Sequence, residues 1–87
     1  MTSFIGFANG AHRYTLNLAS AAWVLYSPIS ELVSLGGVFL GHSTNNMAEY
    51  QAVIRLLMEA LTNDVRKIRV YLDSKLVICN IPNTDIL

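Results

Sequence analysis

Apolar residues fall first in short runs along this chain and later in a helical rhythm. Phe4 to Ala8 is almost wholly apolar and stops at Asn9 and Gly10, the pattern of a strand buried on both faces and ended by a turn. His12 to Leu18 is mixed and reads as a loop. Ala19 to Tyr26 predicts a second strand, carried by the aromatic and β-branched residues Trp23, Val24 and Tyr26. Ser27 to Ser30, with Pro28 inside, suits a hairpin connection. Glu31 to Leu40 then returns as a third strand, where Gly36 and Gly37 mark a bulge or a close backbone approach. The three together predict an antiparallel meander.

The period then changes. From about Asn46 to Leu61, Met47, Tyr50, Val53, Ile54, Leu57, Met58 and Leu61 recur at helical spacing and are expected to face the core. Gln51, Arg55, Glu59 and Thr62 gather into a polar stripe on the same helical wheel. Glu49 stands apart from that stripe, between Leu56 and Ala60, and is therefore a candidate for a task other than solvation. Asn63 and Asp64 end the helix, and Arg66 to Leu72 alternates as a fourth strand with Ile68, Val70 and Leu72 on one face. Lys75 to Ile81 reads as a short helix, capped by Asp73 and Ser74 and stopped by Pro82. A helix between strands three and four is a crossover, so strand four can run parallel to strand one.

Composition narrows the class. The 87 residues make one domain at most, and 53% apolar against 14% charged residues excludes a disordered tail. It resembles the interior of a protein with part of its exterior missing. Six basic and six acidic residues cancel, leaving no global attraction for a polyanion. Cys79 is the single cysteine, which excludes a disulfide framework and a cysteine-based metal cluster and fits a reducing compartment. The start, Met1 to Phe4, has no basic leader, and the longest apolar run, Ala21 to Tyr26, is far below the roughly 20 residues of a membrane span. A soluble intracellular protein with no membrane partner is expected.

Two local patterns go beyond generic α/β texture: TNNMAEYQA at Thr44 to Ala52, and YLDSKLV at Tyr71 to Val77. With FANGA at Phe7 to Ala11, their order and spacing resemble the ribonuclease H family, and its plant and retroelement branch most closely. The resemblance spans residues 4 to 81. It implies an α/β fold built on a mixed five-stranded sheet with strand one beside strand four. In this chain that means three antiparallel N-terminal strands, a helix, a parallel fourth strand and a short helix, with the fifth strand and last helices missing. The activity implied is endonucleolytic hydrolysis of RNA in an RNA–DNA hybrid. Two Mg²⁺ ions about 3.5–4 Å apart, with Mn²⁺ as a substitute, would be held by shared carboxylates, one ion activating water and one stabilising the leaving oxygen.

Residue by residue, the resemblance places the helix acid at Glu49 and the strand-four acid at Asp73, both as catalytic metal ligands. The strand-one acid falls on Asn9, a neutral residue that cannot offset cation charge, and the fourth acid has no counterpart. Asn45 and Asn46 match a pair that meets the minor groove, where RNA 2′-hydroxyls are read, and Arg13 is a third candidate nucleic-acid contact. The family's Gly-rich loop after strand one is replaced by a segment with no glycine from Ala11 to Leu35. Two acids of four imply an inactive or severely impaired enzyme.

Simpler roles compete for the same residues. Asn46 and Glu49 have capping-box spacing. Asn9 and Gly10 are a common turn dipeptide. His12 and His42 read as solvated loop residues, Arg66, Lys67 and Arg69 as a solvated strand end, and Cys79 as a small core residue. Three functions remain open: a weakened hybrid ribonuclease, a non-catalytic nucleic-acid-binding or scaffold module, and a retroelement-derived remnant. An exposed fourth-strand edge would also permit self-association.

Overall fold

In the computed structural model, residues 3–13, 15–73 and 75–81 are described. Ser74, the stop at Pro82 and the first two residues of the N-terminal reading lie outside them. The elements are β1 (Phe4–Arg13), β2 (Leu18–Tyr26), β3 (Leu32–His42), α1 (Asn45–Thr62), β4 (Lys67–Tyr71) and β5 (Leu76–Asn80). They form one sheet in the order β3-β2-β1-β4-β5, with α1 against one face. The β1, β2 and β3 meander is antiparallel and β4 runs parallel to β1, as the crossover requires. Among the described residues, no helix is long and apolar enough to cross a membrane.

β1 does not stop at Asn9. Its pairing with β2 continues through Asn9↔Ala22 and Gly10↔Ala21 to Arg13↔Leu18, so the expected turn lies inside the strand. The reversal comes later, where Asn17 takes φ +52 and its Oδ1 meets His12 Nε2 at 3.1 Å across the hairpin. Asn tolerates that left-handed conformation better than most residues. β1 is also buried on one face only: Gly6 and Ala8 point at α1, while Phe7 is exposed. The second hairpin is as expected, with Ser27 Oγ accepting from the amides of Ile29 and Glu31 at 3.3 and 3.1 Å.

Gly36 is a close approach. A Cβ there would overlap the Trp23 indole on the neighbouring strand, so the absence of a side chain at Gly36 makes room for the ring.

The helix turns a different face to the sheet from the one its apolar spacing predicts. Ala48, Ala52, Leu56 and Ala60 are fully buried, whereas Met47, Tyr50, Met58 and Leu61 are exposed. Ala48 and Ala52 take inner positions because small residues let the helix backbone lie against Gly10 of β1, while the Leu56 side chain fills the space over Gly6. Glu59 is no solvated stripe residue either; its Oε1 accepts from Ser34 Oγ of β3 at 2.6 Å in a part-buried contact. The N-cap is Thr44, extended at φ −88 and ψ 162, with Oγ1 accepting from Met47 N at 3.1 Å. This displaces the expected capping box at Asn46 and Glu49.

The largest correction lies at the C-terminal side. Lys75 to Ile81 forms no helix; it supplies β5, antiparallel to β4 from Lys67↔Asn80 to Tyr71↔Leu76. Leu72 N donates to Lys75 O at 2.8 Å to close the turn, and Ile81 N donates to Arg66 O at 2.7 Å. Val77, Ile78 and Cys79 suit a pleated strand, and pairing with β4 overrides the weak helical pattern. The sheet therefore has five strands, the fifth included, and β4 is no open edge. Self-association through a fourth-strand edge is excluded, because β4 is paired on both sides.

Candidate active site

Glycine at position 10 brings the two halves of the site together. A Cβ on Gly10 would overlap the Glu49 amide and reach within 2.5 Å of the Ala48 carbonyl carbon, so only glycine admits the first turns of α1 onto β1. Four residues earlier on β1, Gly6 receives the Leu56 side chain, so the helix runs back along β1 with its N-terminus at the Gly10 end. Glu49, half-buried, is thereby held beside the Asn9–Gly10 backbone. It lies too deep in the helix to cap it, since the capping hydrogen bond is made by Thr44. The simpler account of Glu49 is gone.

β4 lies beside β1 in parallel, with Phe7 opposite Tyr71. Its end therefore brings Asp73 level with Asn9, and the two line one open depression of about 390 Å³ together with Phe7, Ala8, Tyr71 and Leu72. The Phe7 and Tyr71 rings stack at 5.2 Å between centroids and form its floor. Tyr71 had no role in the sequence argument; the register that puts it beside Phe7 is set by strands far apart in the chain.

Asn45 and Asn46 are exposed in the first turn of α1, at the same end of the sheet, and Arg13 is exposed at the end of β1. All six candidate positions thus converge on one end of the molecule. Arg66, Lys67 and Arg69 lie at the other, where β4 begins, and Arg66 Nη2 pairs with Asp64 Oδ1 at 3.0 Å, a solvated strand end as expected. His12 is engaged across its hairpin, His42 is exposed, and Cys79 is a half-buried free thiol.

The pattern of the reverse transcriptase-like family matches residues 7–85. The chain belongs to the ribonuclease H family. It is 38% identical over 71 residues to ribonuclease HI of Halobacterium salinarum, covering 82% of this chain and 36% of that protein. The crystal structure of RNase H1 from the same archaeon superposes with a TM-score of 0.76 at 34% identity, over 84% of this chain and 55% of that one. The N-terminal RNase H domain of rv2228c from Mycobacterium tuberculosis gives 0.78 at 25% identity, over 86% and 55%. LC11-RNase H1, solved in complex with RNA/DNA hybrid, gives 0.73 at 25% identity, over 84% and 56%. This ribonuclease H domain spans just over half the length of those solved relatives.

As a metal centre the donor set is poor. Among the described residues, no three His, Cys, Asp or Glu side chains gather where they could hold a metal ion. Asn9, which lines the depression with Asp73, is neutral. Two carboxylates bring a charge of −2 against the +4 of two magnesium ions, and an amide oxygen adds a ligand without adding charge. The residues present do not fit a two-metal site.

Proposed function

We propose that this ribonuclease H domain binds RNA–DNA hybrid at the end of the sheet that carries Asn9, Glu49 and Asp73, and that it cleaves the RNA strand poorly or not at all. The observation that supports it is that neutral Asn9 lines one depression with Asp73 and adjoins the Gly10–Glu49 contact, at the position where the family resemblance calls for an acid. Binding is supported by the hybrid complex of LC11-RNase H1, a protein of like fold. Asn45 and Asn46 would meet 2′-hydroxyls in the minor groove and Arg13 a phosphate, so affinity should fall as salt rises. Glu49 and Asp73 would hold at most one Mg²⁺ or Mn²⁺ ion weakly.

The test is cleavage of labelled hybrid by the wild-type chain, Asn9→Asp and Glu49→Gln in Mg²⁺ and in Mn²⁺. Wild type is expected to match Glu49→Gln, and Asn9→Asp to exceed both, while all three bind hybrid with similar salt dependence. Wild-type cleavage well above Glu49→Gln would refute the impairment. Absence of hybrid binding at low salt in all three would refute the whole reading.

A further inference from the structure

Asn9 and Gly10 form the single Asn-Gly pair in the chain. Such a pair is chemically labile, because a glycine has no Cβ to shield its amide nitrogen and turns freely towards the preceding asparagine side chain. Here the glycine is required, since a Cβ at position 10 would overlap the Glu49 amide of α1. The packing that seats the helix therefore keeps the pair labile.

The fold also sets how far that lability is expressed. Asn9 is exposed, and the strand ladder pairs it with Ala22 and Gly10 with Ala21. Extended, paired backbone holds the Gly10 nitrogen away from the Asn9 side-chain carbonyl carbon. On the other side of β1, pairing with β4 runs from Phe4↔Ile68 to Phe7↔Tyr71 and goes no further among the described residues. The ladder thus secures Asn9 and Gly10 from the β2 side alone. A segment fastened on one side opens at a lower free energy than one inside a sheet.

We propose that Asn9 is a deamidation site, held in check by the pairing of β1 with β2 and released when that pairing opens. In the open segment the Gly10 nitrogen loses its proton and bonds to Asn9 Cγ, and the side-chain nitrogen leaves as ammonia. Water then opens the cyclic imide. Breaking the new bond between Cγ and the Gly10 nitrogen gives aspartate. Breaking the bond between the Asn9 main-chain carbonyl carbon and that nitrogen gives isoaspartate. In both cases an amide and a water become a carboxylate and ammonium. The aspartate product keeps its backbone and re-enters β1, with its charge in the depression shared with Asp73. The isoaspartate product adds a methylene to the main chain, which breaks the ladder of Gly10 to Arg13 against Ala21 to Leu18. Ring closure takes place within the chain and needs no docking partner. The modification stands apart from hybrid binding, because its readout is the mass of one peptide.

Trypsin releases residues 1–13 as a peptide in which Asn9 is the only amide side chain. The full chain is kept in warm, mildly alkaline buffer, folded or in guanidinium chloride, and that peptide is followed by mass spectrometry. The mass gain of amide-to-acid conversion is expected in both, at least about tenfold more slowly in the folded chain. Two products should separate by chromatography, one of them co-eluting with the peptide from Asn9→Asp. Ala22→Gly, which loosens the strand opposite Asn9, should raise the folded rate several-fold and leave the rate in guanidinium unchanged. Gly10→Ala should slow conversion in guanidinium, where folding plays no part. Absence of the mass gain in guanidinium overturns the site, and equal rates in the two states overturn its control by the fold. A folded rate indifferent to Ala22→Gly overturns the part played by β2. Conversion of Gly10→Ala in guanidinium as fast as wild type overturns the imide route.

Discussion

The two faces of this sheet are built from the same alternating strands and differ in what covers them. On the inner face Gly6, Gly10, Ala8, Ala21 and Leu25 meet Ala48, Ala52 and Leu56 of α1; at Gly10 the two backbones come too close for any side chain, and at Gly6 the Leu56 side chain fills the space. On the outer face Phe7, Leu35 and Phe39 stand in the open. Large side chains therefore lie where nothing covers them, and small ones where packing is tightest. Apolar character alone does not locate a core; the size of the residue that a close approach tolerates does.

That contrast can be broken from the inside first. Leu56→Ala removes the largest helix side chain in the inner layer, fully buried against Gly6 and Ile68. It should cost about 2–5 kcal/mol. In a domain of this size that approaches the whole stability, so urea denaturation should show a collapsed or absent transition. Retention of more than half the wild-type midpoint would place the core elsewhere. Gly10→Ala comes next. Its methyl meets helix backbone, which cannot swing aside as a side chain can, and the strain should cost about 1–3 kcal/mol and lift Glu49 from Asn9. A midpoint equal to wild type would show that α1 does not lie this close to β1.

Smaller effects sharpen the comparison. Ser34→Ala deletes the 2.6 Å hydrogen bond to Glu59 that ties the far half of α1 to β3. It should cost about 1–2 kcal/mol, a loss that Glu59→Gln reproduces only in part. Equal midpoints for wild type and Ser34→Ala would mean that water serves Glu59 as well. Leu35→Lys, on the open face, should change the unfolding free energy by less than about 0.5 kcal/mol. A loss above about 1 kcal/mol there would mean that the outer face is already covered within one chain.

The motifs were legible because they are local. TNNMAEYQA and YLDSKLV mark a helix start and a strand end within a few residues, and both lie within residues 7–85, the span that matches the family. The meander, the crossover and the parallel β4 followed from hairpin signals and from the position of one helix. Less legible was everything decided by a neighbour distant in sequence. Asn9 and Gly10 carry turn chemistry, yet Ala22 and Ala21 hold them in strand. Val77 to Cys79 tolerate helix or strand, and only β4, with a free edge to fill, selects strand. Outside one polar stripe the helix is apolar over most of its circumference, so its wheel could not say which apolar side would be buried.

By itself, the sequence determined the family, the order of the first four strands and the long helix between the third and fourth, and the neutral residue at position 9. Asn9 is neutral wherever the chain folds. Only the tertiary structure decided that Gly10 admits α1, that Asp73 and Asn9 share one depression, that a fifth strand closes β4, and which apolar face stays open. Residue type and short-range spacing are properties of the chain. Close approach and register arise when segments compete for the same edge and the same layer, and that competition is settled by the summed packing of all of them.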